Sequence, residues 1–306
     1  MGRSPEEHGN PVRGALYVII ASFFFAAMGA LIKLGAAELH AFQIAFLRNL
    51  FGLLFMLPWL YRDGVAVLKT ERLGLYWGRA ILGVITMLTW FWAMTVMPLA
   101  EAVSLSFSAP LFVTLGAALV LGEYVGIRRW SATLIGFLGV MVILRPGINS
   151  ISLAAVGVVS SAICMAGSIL LIKVLSRTES PNAIVLYMVL MMAPLSLLPA
   201  LAVWQWPSAQ TWLWMVMLGG FGTIAHLLFT NAMKVAEASA VMPFDFVRLP
   251  FTVVLGIWLF DQHIGRWTWL GAAIIFSAGI YIAHREMMSG RGQGSLPTAP
   301  RSLSDT

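Results

Sequence analysis

Cysteine is almost missing from this sequence: Cys164 is the only one in 306 residues. A single thiol excludes a disulfide-stapled secreted domain. It also excludes a zinc ribbon, an iron–sulfur cluster and a Cys-x-x-Cys redox pair. Charge is scarce too. Only 10% of residues are charged, against about a quarter in soluble globular chains. Disordered chains are rich in charge and poor in large apolar residues, so the bulk of this one is ordered. The net charge of +6 does not point to nucleic acid. That reading needs a basic face on a soluble fold, whereas these bases fill short gaps between apolar runs. Apolar residues make up 59% of the chain, and mean hydropathy is +0.86. The composition is that of a helical integral membrane protein.

A helix needs about 20 mainly apolar residues to cross a hydrocarbon core of about 30 Å. Ten runs qualify: 14–35, 41–61, 74–97, 99–121, 130–146, 152–176, 183–204, 211–234, 238–260 and 267–284. They are too long, and alternate too little, for transmembrane strands. The first is too long for a secretory signal and nine more follow, so it reads as an uncleaved helix. Lys and Arg in the gaps set the orientation. With the N-terminus inside, twelve bases, from Arg3 through Arg128 and Arg129 to Arg301, lie on the cytoplasmic side. The other side holds Arg145 and Arg266, with Lys33 near a third gap. Both termini are therefore expected in the cytoplasm, and the tail 285–306, with its Gly, Ser and Pro, reads as disordered.

The chain repeats itself. At an offset of 139, Gly83 matches Gly222, Ala93-Met94 matches Ala232-Met233, Phe112 matches Phe251 and Trp130 matches Trp269. At 140, Leu31-Ile32-Lys33 matches Leu171-Ile172-Lys173 and Pro110 matches Pro250. A nearly constant offset along the whole length marks a duplication. The expected fold is an all-α membrane protein of ten transmembrane helices in two five-helix repeats, 14–146 and 152–284, after a short tail, 1–13. Five is odd, so the second copy is inverted relative to the first. Inverted repeats are a device of secondary transporters.

The motifs then resemble a known family. They are Leu39-His40-Ala41-Phe42 leading to Ala45-Phe46-Leu47-Arg48, and Ser106-Phe107-Ser108-Ala109-Pro110-Leu111-Phe112 closing in Leu121-Gly122-Glu123. Arg129-Trp130 with Gly136-Phe137-Leu138-Gly139 follows. The second half has Pro243-Phe244-Asp245-Phe246 and Arg248-Leu249-Pro250-Phe251. Over residues 14–284 the chain is similar to the drug/metabolite transporter superfamily, in its EamA-domain branch. Within that branch the first half most resembles bacterial S-adenosylmethionine uptake carriers, and related patterns occur in carriers of riboflavin, amino acids and metallophores. One departure is that the second half usually closes its fourth helix in Phe-Gly-Glu, and here it reads Phe260-Asp261-Gln262.

Polar and charged groups inside spans are functional candidates by default. Arg79 shares a face with Gly83, Thr86 and Trp90, at steps of four, three and four. That stripe aligns a cation, a gap, a hydroxyl and an indole, as a ligand cavity would, although ordinary helix packing uses small and polar stripes as well. Arg48 lies early in span two. Ser104 and Ser108 either line the same space or bond back to their own helix. His226, with Thr223 and Thr230 on its face, is a proton-coupling candidate because histidine titrates near neutral pH; Asn231 follows it. Asp245 and Arg248 are three apart near the middle of span nine, close enough to pair, and Asp245 is the second proton candidate. Pro110 and Pro250 are expected to break spans four and nine. Paired interruptions point to a transporter's binding site.

Other classes fit less well. Ser168 and His226 suggest an intramembrane hydrolytic dyad, but the Gly-x-Ser-x-Gly context is missing. His-Glu-x-x-His and a phosphate loop are missing too, and a charge ring or selectivity filter for a channel is not evident. A non-transporting scaffold is the remaining alternative. The sequence describes a secondary carrier of a small polar metabolite in the bacterial inner membrane, working by alternating access without cofactor or metal. Its expected partners are the substrate and the lipid bilayer, not nucleic acid, and a homodimer is compatible with it. An S-adenosylmethionine-like, riboflavin-like, amino-acid-derived or metallophore substrate fits, in either direction.

Overall fold

In the computed structural model, residues 11–64, 69–106, 108–122, 126–144 and 152–261 are described, with 265–267, 269–271, 273, 274, 277 and 281 beyond them. Among these, every regular element is helical. The first half holds α1 (Pro11–Gly35), α2 (Ala41–Asp63), α3 (Leu73–Val96), α4 (Leu99–Ser106), α5 (Ala109–Val120) and α6 (Ile127–Leu144). The second holds α7 (Leu153–Leu175), α8 (Pro181–Leu201), α9 (Ala209–Val235), the single turn α10 (Ala238–Val241), a 3₁₀ segment (Met242–Val247) and α11 (Arg248–Phe260). The six helices α1, α2, α3, α7, α8 and α9 are long and apolar enough to cross a membrane. Residues 1–10 of the expected tail 1–13, the tail 285–306 and most of span ten lie outside the described residues, while 11–13 already belong to α1.

Local chemistry sets the boundaries. Ser152, Ser180 and Ser208 each precede a helix and accept from the backbone N–H three residues on, at 3.1, 3.1 and 3.3 Å. Each cap satisfies an amide that the first turn leaves without a partner. Span four is broken where α4 ends at Ser106 and α5 begins at Ala109. Pro110 has no N–H, and its ring crowds the carbonyl four residues back, which is that of Ser106. The hydroxyls of Ser106 and Ser108 take up the Val103 and Leu105 carbonyls at 2.7 and 2.9 Å. Span nine is broken by the 3₁₀ segment, with Pro243 at its start and Pro250 in the first turn of α11. Each interruption therefore lies just before its proline.

The altered motif at the end of α11 has a local cause. Asp261 closes the helix in the left-handed conformation at φ 48°, and Gly122, 139 residues earlier, stands past α5 at φ 66°. Aspartate tolerates that conformation better than most residues. Asp261 thus stands where the first half has glycine, and its backbone geometry accounts for its place.

Helix packing obeys the repeat. α1 lies mainly against α9 and α3 mainly against α7, which is one contact made twice, while α2 crosses its own counterpart α8. α2 and α9 meet nearly backbone to backbone: a Cβ on Gly219 would fall 2.3 Å from Phe51 Cβ and 2.9 Å from the Gly52 nitrogen. Lipid is as apolar as the helices, so close van der Waals approach of this kind is what holds such helices together. One turn before Gly52 on α2 stands Arg48.

Polar clasps join the halves at both ends. At one end, Glu38 in the α1–α2 connection accepts from Thr211 Oγ1 and, at 2.6 and 2.8 Å, from the Ser208 amide and hydroxyl. Those bonds, Thr211's foremost, hold the Glu38 carboxyl below the usual carboxylate range. Beside it the Gln43 side chain exchanges two bonds, 2.6 and 3.0 Å, with the Gln205 backbone. At the opposite end, Thr70 before α3 donates to Glu179 in the α7–α8 connection at 2.8 Å.

Candidate functional site

Between the clasps lies a cavity of about 1010 Å³, the open space at its mouth included. Its walls are mostly apolar. Phe25 and Met28 of α1, Trp90 and Phe91 of α3, Met188 and Met192 of α8 and Phe229 of α9 all line it. Set into them are Arg48, Arg79, Arg248, His226 and the hydroxyl side chains Thr86, Ser106, Ser161 and Ser168. Apolar walls with a few fixed polar groups are the usual make-up of a small-molecule site. The lining repeats as the sequence does. Met87 and His226, and Trp90 and Phe229, stand 139 residues apart. Phe25 and Met165, Met28 and Ser168, and Arg48 and Met188 stand 140 apart. Both members of all five pairs face the cavity, so both halves build it. The charges are not shared in the same way: Arg48 stands opposite Met188 in the repeat, and His226 opposite Met87.

The stripe on α3 comes together as the spacing predicts. Arg79, Gly83, Thr86 and Trp90 all line the cavity. Arg79 is 2% exposed. It directs Nη2 to the sulfur of Met188 at 3.3 Å and leaves Nε without a hydrogen-bond partner. Thr86 donates to the Ser161 carbonyl on α7, at the long distance of 3.4 Å. Arg48 of α2, which also lines the cavity, donates from Nη1 to its neighbour Asn49 at 2.9 Å, and its Nη2 has no partner. Asn49 is held by Ser196 of α8 at 3.2 Å. Gly222 gives Arg48 its room, since a Cβ there would lie 2.9 Å from Arg48 Nε.

Asp245 and Arg248 form a buried ion pair. The 3₁₀ turn explains it: with three residues per turn, side chains at i and i+3 eclipse. Ser22 of α1 donates to the other Asp245 oxygen at 3.2 Å, and the Arg248 guanidinium rests 5.3 Å from the centre of the Phe25 ring. Arg248 faces the cavity while Asp245 stands behind it. His226 also faces the cavity, its ring edge-to-face with Phe25 at 5.2 Å and its Nδ1 without a partner.

Other expected residues are placed elsewhere. Ser108, in the break before α5, bonds back to the Leu105 carbonyl of α4, and Asn231 bonds to the Leu227 carbonyl of its own helix; neither lines the cavity. Short polar side chains in apolar helices satisfy themselves this way because lipid offers no partner. The side chain of Ser104 lies outside the described residues. Pro110 and Pro250 shape the interruptions without touching the cavity. Ser106, Ser161 and Ser168 are residues the sequence reading missed as cavity groups. The one available signal was the α7 stripe Ser161, Met165, Ser168, Ile172, spaced four, three and four like that of α3.

Comparison with known proteins agrees with this geometry. The sequence model of the EamA-like transporter family matches residues 12–145 and again 152–283. A riboflavin transporter of Vibrio cholerae serotype O1 is 34% identical over 292 residues, covering 94% of this chain and 98% of that protein. An S-adenosylmethionine uptake transporter of Rickettsia prowazekii is 28% identical over 252 residues, covering 82% of this chain and 86% of that one. A solved crystal structure shares the fold at a TM-score of 0.72 and 18% identity, covering 92% of this chain and 99% of its own.

Proposed function

The chain belongs to the EamA-like transporter family, and on that premise we propose that it carries a flat heteroaromatic metabolite through the bacterial inner membrane by alternating access, with riboflavin the first candidate. The observation that carries this reading is the cavity built by both halves, walled by aromatic and methionine side chains and supplied with guanidinium donors. A planar ring stacks on such walls, and its carbonyl oxygens accept from arginine. A similar riboflavin carrier supports the choice. The sulfonium of S-adenosylmethionine would meet three guanidiniums in a medium that screens poorly, which places that substrate second.

The arrangement proposed for the membrane is ten helices in two inverted five-helix repeats, 14–146 and 152–284, with both termini cytoplasmic. Spans four and nine are each one interrupted helix, made of α4 and α5 and of α10, the 3₁₀ segment and α11. In this reading Arg48, Arg79, Thr86 and Trp90 contact the substrate with Arg248. Asp245 orients Arg248 and takes a proton as the carrier resets, with His226 the second proton site.

Counterflow tests the substrate. Liposomes holding the purified protein and loaded with unlabelled riboflavin should accumulate labelled riboflavin saturably, and liposomes loaded with S-adenosylmethionine should not exchange it. Saturable exchange of S-adenosylmethionine, with none of riboflavin, would overturn the assignment.

A further inference from the structure

Two cations in the cavity have no acid beside them. Arg48 and Arg79 are each 2% exposed and both line it. Asp245 pairs with Arg248, and among the described residues no carboxylate lines the cavity. The partners that Arg48 and Arg79 do have are neutral: a carboxamide oxygen and a thioether sulfur, the latter a weak acceptor. Arg48 Nη2 and Arg79 Nε are buried donors that bond to nothing in the protein. A guanidinium keeps its charge, and burying one without a counter-charge is far more costly than burying a pair. Two like charges lining one cavity also repel each other.

We propose that Arg48 and Arg79 form an anion subsite inside the cavity, taking one small monoanion, a halide or a carboxylate group. The inference rests on reading the cavity as the substrate's site. Riboflavin has no charged group, so beside it the anion is a free inorganic ion such as chloride. For a carboxylated substrate it is the substrate's own carboxylate. Arg248 is not part of the subsite because Asp245 already answers its charge. The hydroxyls of Thr86, Ser106 and Ser161 in the wall already donate to backbone carbonyls, so binding depends on both guanidiniums.

The test is the melting temperature of the purified full chain in a zwitterionic, chloride-free buffer, titrated with chloride and separately with benzoate. Wild type should show a saturable rise on the order of a few degrees, as a ligand specific to the folded state gives. Arg79→Met should abolish the rise, and the same variant controls for general effects of salt. Without anion, Arg79→Met should melt no lower than wild type, because it removes an uncompensated charge. Arg79→Lys should keep the rise at a higher half-saturating concentration, and if Arg79→Met does not fold, Arg48→Met supplies the comparison. A rise with chloride identifies a free inorganic ion. A rise with benzoate alone identifies the substrate's carboxylate. No saturable rise with either anion, or an equal one in the neutral variant, overturns the subsite. Riboflavin exchange is measured separately, so its failure would remove that substrate and leave this result standing.

Discussion

Lys33 of α1 and Lys173 of α7 stand 140 residues apart and clamp the same point in each half. Lys33 Nζ donates to the Met97 carbonyl at 3.1 Å, just past the end of α3. Lys173 Nζ donates to the Met233 and Ala236 carbonyls at 3.0 and 2.6 Å, at the end of α9. Either stem is long enough to reach water, yet both are spent on backbone. A cation here complements the negative end of a helix and satisfies carbonyls the last turn leaves free. In each half the clamp also fixes the short link into the interrupted helix that follows.

Removing these clamps should destabilise unequally. A hydrogen bond to a charged group contributes about 1.5–3 kcal/mol, less where water competes. Lys173→Met loses two carbonyl contacts and should cost about 2 kcal/mol, and Lys33→Met about 1 kcal/mol. Thermal melts of the purified variants check the order. Equal melting temperatures would assign both lysines to solvent.

The Glu38 clasp makes stability depend on pH. Its carboxyl is held below the usual range by Thr211 and Ser208, so the folded state binds the proton less readily than the unfolded state. The contribution is therefore complete above the ordinary glutamate value of about 4.3, and it is lost as pH falls through the lower folded value. Between about pH 6 and about pH 3 the melting temperature of wild type should fall further than that of Glu38→Gln. Parallel curves would remove Glu38 from the acid response.

Trp90 offers a face for stacking. Aromatic contacts add about 0.5–1.5 kcal/mol beyond area burial, so Trp90→Ala should weaken substrate affinity by a few-fold to about tenfold while the protein still inserts and folds. Binding titrations in detergent decide it. Unchanged affinity would leave Trp90 as packing alone.

The Asp245–Arg248 pair separates structure from transport. An unpaired charge at mid-membrane costs about 2.5–3.5 kcal/mol on insertion scales, and losing one partner of a buried pair is more harmful than losing both. Asp245→Asn should fold and transport poorly, and Arg248→Gln should transport worse. Asp245→Leu with Arg248→Leu should recover melting temperature without recovering transport. Wild-type transport by that double variant would refute the role of the pair.

Much of this was legible because hydropathy and spacing carry it. The long helices follow from apolar runs, and the interruption before Pro110 follows from a missing N–H. The Arg79–Trp90 stripe follows from helical periodicity. Asp245 and Arg248 were legible as a pair because they are three apart, although the 3₁₀ turn that aligns them was not. Ser161 and Ser168 were hidden because a serine in an apolar helix looks alike whether it faces a cavity or its own backbone. Ser108 and Asn231 show the converse. The clasps at Glu38 and Gln43 were hidden for another reason: their partners, Ser208 and Gln205, lie more than 160 residues away.

A cavity that opens to each side of the membrane in turn exposes a single thiol in its wall to reagents on both sides. Cys164 is the only native cysteine, so Cys164→Ser with Ser168→Cys leaves one thiol, on a cavity-lining position of α7. A membrane-impermeant thiol reagent should label it in right-side-out and in inverted vesicles alike, and riboflavin should slow both reactions. Labelling from one face alone, or from neither, would contradict alternating access through this cavity.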